Sequence, residues 1–312
     1  MNSIDRRRIA IFVALAFGIA WAVALVVYLT GGLVNSPVLI PALNVSLATV
    51  LLAVGVMSSP AIAHILTRII TREGWEDVWL RPNLRRGWPY WLAAWFLPGI
   101  LTVIGLGIFF ALYPMYYDPS HGVVMELLPP GASIDPRIII IAQLIQAMLL
   151  APVLNGAFTF GEEFGWRAYL QPKLMPLGGR TATLLVGVIW GLWHAPIIAM
   201  GHNYGLTYPG APWSGILMFV WITVLFSALL GWVTIRGGSV WPAVIGHAAI
   251  NGIAGLGILF IQGEPNPLLG PLPVGVIGSL GFLFAALLIF VSPRALAAPT
   301  DADSATQTPP SR

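Results

Sequence analysis

Cysteine is absent from all 312 residues, which excludes disulfides, thiolate nucleophiles and cysteine-ligated zinc. Charge is scarce: Asp, Glu, Lys and Arg together make up 9% of the chain. No recurring period-two alternation of apolar and polar residues is present, which argues against a transmembrane β-barrel. The net charge of +3 is too small to mark a nucleic-acid surface, so no nucleic-acid partner is expected. What the chain does have is 57% hydrophobic residues and a mean hydropathy of +0.84. Its apolar runs recur at about 20 residues, the length that crosses about 30 Å of hydrocarbon as a helix. The expected fold is therefore all-α: a polytopic membrane helical bundle of about eight transmembrane helices, near 9–30, 38–58, 89–112, 138–161, 182–201, 214–235, 241–262 and 271–292.

The few basic residues are unevenly placed. With Arg6, Arg7 and Arg8 inside, the same side receives Arg68, Arg72, Arg81, Arg85, Arg86, Lys173, Arg180, Arg236 and Arg294, and the other side only Arg137. The positive-inside rule then puts both the N-terminus and the C-terminus in the cytoplasm. The run after Arg8 is too long for a signal-peptide core and reads as an uncleaved anchor. Residues 1–292 are expected to form one membrane-embedded domain, and 293–312, ending "APTDADSATQTPPSR", a disordered tail. Between the second and third spans, "WEDVWL" is expected to form a short interfacial helix.

Against this background three spans carry polar groups. Glu162 and Glu163 end the fourth span, and helical spacing sets Glu163 beside Arg167 while turning Glu162 about 100° away. Arg167 can hold Glu163 ionised, which leaves Glu162 as the freer carboxylate, a candidate general base. An ordinary interfacial ion cluster has the same composition. In the fifth span Trp190 precedes His194 by one turn, beside a small-residue stripe of Thr183, Gly187, Gly191 and Ala195 that admits a neighbouring helix. In the seventh, His247 and Asn251 share one helix face, beside a second stripe of Ala248, Gly252 and Gly255. That pair offers hydrogen-bond donors to an oxyanion, or one metal ligand and its orienter, or plain interhelical hydrogen bonds. No role is expected for His64, His121 or His202.

In order, Glu-Glu-x-x-x-Arg, aromatic-x-x-x-His and His-x-x-x-Asn on successive spans resemble the motifs of the CPBP (Abi) family of intramembrane proteases. That family comprises CAAX prenyl endopeptidases of the Ras-converting-enzyme type together with bacteriocin-processing and immunity proteins. The resemblance covers about 138–255, and places a catalytic core at about 138–262. Trp190 stands where the second motif usually begins with Phe, keeping an aromatic wall. The resemblance implies an eight-helix core whose cavity opens to the cytoplasm and hydrolyses a peptide bond there. Glu162 would activate water, His194 would hold that water and pass protons, and His247 with Asn251 would stabilise the oxyanion, while Glu163 and Arg167 brace the helix. No metal is favoured; a zinc alternative would draw on Glu162, His194 and His247. The implied partners are membrane lipid and a peptide or lipidated protein substrate, and the implied location is the plasma (inner) membrane if the source is prokaryotic. The competing class is a membrane immunity or transport protein using the same polar cluster as a relay.

Overall fold

The computed structural model describes residues 5–126, 128–129 and 134–297; most of the expected tail lies outside them. Among the described residues, six helices are long and apolar enough to cross a membrane. They are α1 (Arg6–Leu29), α2 (Leu47–Thr71), α3 (Leu84–Leu112), α4 (Pro136–Leu154) and, after two shorter helices, α7 (Trp213–Gly237) and α8 (Trp241–Ile253, continuing as a tighter turn to Phe260). The shorter ones are α5 (Gly156–Gly165) and α6 (Gly179–Trp193), and α9 (Leu280–Val291) closes the bundle.

Four expected spans differ in their limits: the fourth is interrupted at Asn155, so that Glu162 and Glu163 lie on α5 and not at the end of α4, and the second runs on to Thr71 in place of ending near 58. The second begins at Leu47 instead of 38, because Val38–Ile40 and Val45–Ser46 pair as a small antiparallel hairpin, β1 and β2. Pro41 and a left-handed Asn44 make its turn, and Ser46 then caps α2 by accepting from the amide of Thr49 at 3.1 Å. The fifth stops at Trp193, since Pro196 two residues beyond His194 disfavours its continuation, and only the short Ala195–Ala199 turn follows. The eighth is reduced to Leu280–Val291, the Pro- and Gly-rich stretch before it staying in turns. "WEDVWL" is not helical: its Asp77 is drawn to Arg68, and the Trp79 carbonyl accepts from the Val240 amide at 2.8 Å.

Prolines shape the helices around the site. Wide, π-type turns occupy Leu51–Val56, Gln146–Leu150 and Trp166–Leu170, and each is followed within four residues by a proline, Pro60, Pro152 and Pro172. A proline ring crowds the carbonyl four residues back and removes one amide, so a widened turn before it relieves both faults.

Glycine sets the spacing between helices. On α6 a Cβ at Gly187 would lie 2.7 Å from the Val224 Cα, and one at Gly191 2.6 Å from the Val220 Cα, so α6 and α7 touch backbone to backbone. The small-residue stripe expected there is this contact. Gly161 and Gly165 do the same for α5 against α2, meeting Met57 and Pro60. Of the second stripe, Gly252 meets Ala151 on α4, whereas Gly255 faces open space.

The bundle's two ends differ in chemistry. One end gathers the start of α1, the α2–α3 connection, Lys173, the start of α6 and the α7–α8 turn: Arg8 pairs with Glu73 at 3.4 Å, Lys173 with Glu73, and Asn83 with the Gly237 carbonyl at 2.9 Å. At the other end the Asp118 amide donates to the Phe260 carbonyl at 2.9 Å and the Tyr204 hydroxyl to the Val274 carbonyl at 2.8 Å.

Gly187→Ala is expected to lower thermal stability in detergent by about 1–3 kcal/mol, because the backbone it strikes belongs to another helix. Gly107→Ala, with nothing near its added methyl, should be neutral or slightly stabilising. Equal unfolding temperatures for the two variants would contradict the close α6–α7 contact.

Candidate active site

The Glu-Glu pair is split as the helical spacing demands. Glu163 is fully buried, and its Oε1 accepts from Arg167 Nη1 at 3.0 Å and hydrogen-bonds His247 Nδ1 at 2.8 Å. It therefore ties α5 to α8 as well as bracing its own helix. Thr159, one turn earlier, adds a bond from its hydroxyl to the Val244 carbonyl at 3.0 Å.

Glu162 points elsewhere. Its Oε2 accepts from the indole N–H of Trp190 at 2.6 Å, and its Oε1 has no partner among the described residues. Trp190 is the hub of the site. The Arg167 guanidinium stacks 4.6 Å from its ring centroid, the His247 ring meets it edge-on at 5.1 Å, and its carbonyl binds His194 Nδ1 at 2.8 Å. A phenylalanine could form the wall but not the hydrogen bond to Glu162.

His194 lies just past the end of α6, held between Trp193 and Phe219 with ring centroids 4.6 Å from each. Both histidines engage Nδ1 with an acceptor, which places the proton there and leaves each Nε2 without a protein partner among the described residues. Glu162, Trp190, His194, His247 and Asn251 all line one cavity of about 440 Å³. Asn251 is exposed on it and makes no hydrogen bond to the described protein.

No three His, Asp or Glu side chains cluster at metal-binding separation among the described residues. Glu163 engages Nδ1 of His247, the Trp190 carbonyl Nδ1 of His194 and the Trp190 N–H one oxygen of Glu162, so the atoms that the zinc alternative would use are the two Nε2 nitrogens and the second oxygen of Glu162.

Two expectations about orientation prove incompatible. The cavity runs from Glu162 toward Thr49, His202, Asn203 and Val274, at the end of the bundle away from the basic residues. Cytoplasmic termini and a cytoplasmic opening cannot both hold in this fold.

A support layer escaped the sequence reading. His64, for which no role is expected, is fully buried on α2; its Nδ1 donates to the Phe164 carbonyl at 2.8 Å, and Arg68 donates from Nε to its Nε2 at 2.6 Å. Arg68, expected only as a cytoplasmic charge, is 1% exposed and grips Asp77 at 2.6 Å. Tyr169 and Lys173 bind Glu73 in the same layer. The signal was available as the four-residue spacing of His64 and Arg68 on one helix face.

Residues 136–253 match the profile of the type II CAAX prenyl endopeptidase Rce1-like family. Over this segment the chain is similar to that family. CAAX prenyl protease 2 of Methanococcus maripaludis is 32% identical over 98 residues, covering 30% of this chain and 35% of that protein, so the chain spans about a third of the relative's length. The Rce1-like segment begins with α4, ends with the last residue of α8, and contains every residue of the polar cluster. The His64–Arg68 layer lies outside it.

Partial burial raises the proton affinity of Asp77, but the hydrogen bond and charge of Arg68, with Lys173, outweigh that and hold its carboxyl below the usual range. A depressed carboxylate stabilises the fold above the ordinary carboxylate pKa of about 4 and loses that contribution as pH falls through its lowered value. Asp77 is half exposed, so screening limits the effect to under about 1 kcal/mol. Asp77→Asn should unfold earlier than the parent at pH 7, with the gap closing on acidification below about pH 4. A gap independent of pH would contradict the pairing.

Proposed function

We propose that the chain is an intramembrane endopeptidase that hydrolyses a peptide bond of a membrane-associated or lipidated substrate by glutamate-activated water. The observation that carries this reading is the asymmetry of the two glutamates: Glu163 is fully buried and tied to Arg167 and His247, while Glu162 keeps one oxygen free on a cavity shared with two imidazoles and an amide. The Rce1-like match and the printed activity of the archaeal relative support the same reading.

In this mechanism the free oxygen of Glu162 takes a proton from water as the oxygen attacks the scissile carbonyl carbon. His194, accepting at Nε2, orients that water. The carbonyl oxygen takes up the electron pair and is met by the Asn251 amide and by His247, whose Nε2 donates when the ring is protonated against Glu163. The C–N bond then breaks as the proton held on Glu162 passes to the leaving nitrogen, releasing a carboxylic acid and an amine, and the acid's proton, the second from water, then passes to the amine. Every proton is accounted for without a metal. We further propose that the termini are cytoplasmic and that the protein sits in the plasma membrane of its source cell. A relay in a transport or immunity protein would not require one carboxylate to be anchored and its neighbour left free.

Cleavage of a reporter peptide by purified variants tests this. Glu162→Gln should abolish turnover while the protein still inserts and folds, since shape is retained and the base lost. Asn251→Ala should lower kcat by about 10²–10³ with little change in KM. Trp190→Phe keeps the ring but frees Glu162, and should lower kcat less than Glu162→Gln does. Full activity in Glu162→Gln would remove the base assignment, and chelator-sensitive activity restored by zinc would replace the metal-free mechanism.

A further inference from the structure

The cavity and the basic residues occupy opposite ends of the bundle, and the side from which substrate arrives follows from that opposition. Measured along α8 from Trp241 at the basic end, His247 stands about 9 Å and Asn251 about 15 Å toward the far end. The lining continues past them to Ala254, and on α2 it runs from Thr49, near the helix start, only as far as Met57. Its rim is built from His202, Asn203 and Val274, which lie in connections at the far end. Toward the basic end the lining includes none of the buried layer of His64, Arg68 and Tyr169, which is bonded to the Phe164 carbonyl and Glu73.

Charge fixes which end faces the cytoplasm. Of the 15 Lys and Arg residues, only Arg137 lies at the start of a helix on the cavity side; Arg167 is buried within the site, and Arg312 belongs to the terminal tail. A bias this strong places the basic end inside. The lining is chiefly apolar, with Trp193, Ile197, Phe219, Phe226 and Ile250, and its titratable groups are Glu162 and three histidines. Among the described residues it offers no Lys or Arg to a terminal carboxylate.

Resting on the endopeptidase reading, we propose that the cavity receives its substrate from the extracytoplasmic side: an internal, apolar segment of an exported or membrane-anchored polypeptide. A prenylated C-terminus presented in the cytoplasm would meet the end of the bundle opposite the cavity.

The cysteine-free chain permits a direct test. Thr49→Cys and Ala254→Cys place a thiol on the cavity rim and wall, and Glu76→Cys places one on the exposed loop of the basic end. In intact cells a membrane-impermeant maleimide should label the rim and wall thiols, and label Glu76→Cys only after permeabilisation. The reverse pattern would overturn the proposal. In the same cells, a single-span reporter carries an apolar cleavable segment on either its outer or its inner flank. Cleavage of the outer-flank reporter, lost with Glu162→Gln, is expected, and cleavage of the inner-flank reporter alone would again overturn the proposal. If neither reporter is cut in a Glu162-dependent way, the endopeptidase reading fails and the substrate assignment with it, while the labelling still decides the side of access.

Discussion

One carboxylate oxygen, Oε1 of Glu163, holds the site together by bonding Arg167 on its own helix and His247 on α8. Placing a carboxylate where no solvent reaches is costly unless charge and hydrogen bonds replace the lost hydration. Here the guanidinium supplies the charge and the imidazole the second donor. Breaking such a buried pair from one side typically costs about 3–5 kcal/mol, so the geometry of α5 against α8 is tightly determined. The consequence for Glu162 is indirect. With its neighbour committed to structure, it can be held by a single bond from Trp190 and keep its other oxygen for chemistry.

Backbone features bring these side chains within reach. Gly161 and Gly165 let α5 lie directly on α2 on either side of the Glu-Glu pair, and the wide turn at Trp166–Leu170 carries Arg167 while still allowing its bond back to Glu163. Gly187 and Gly191 press α6 onto α7, which sets Trp190 against Glu162 and ends the helix with His194 beside Phe219. Pro196 then ends α6, so His194 is presented from a helix terminus.

Features governed by local periodicity were legible in the sequence. The Glu163–Arg167 pair, the opposed direction of Glu162, the close-packing glycines on α6 and the membrane-helical class all follow from a 3.6-residue period and from hydropathy. What the sequence concealed depends on tertiary partners. The Trp190 ring looked like a wall because its N–H could not be assigned an acceptor before Glu162 was seen across the bundle. His64 has no role, and Arg68 only a topological one, in the sequence alone because their acceptors, the Phe164 carbonyl and Asp77, come from elsewhere in the chain. Apolar runs also overstate helices: residues 38–46 are hydrophobic enough to continue a span, yet Pro41, Asn44 and Ser46 fold them into a capped hairpin. The direction of the cavity could not be read at all, since it depends on which half of each helix is left unpacked.

The central claim is that water held by Glu162 attacks a carbonyl whose developing negative charge is met by His247 and Asn251. The most direct measurement is an experimentally determined structure of the protein with a phosphinic peptide, whose two oxygens stand in for the attacking water and the oxyanion. The account predicts one oxygen within hydrogen-bonding distance of Glu162 and the other between His247 Nε2 and the Asn251 amide. A metal ion bridging the phosphinate to Glu162 and the histidines, or a phosphinate seated away from Glu162, would contradict it.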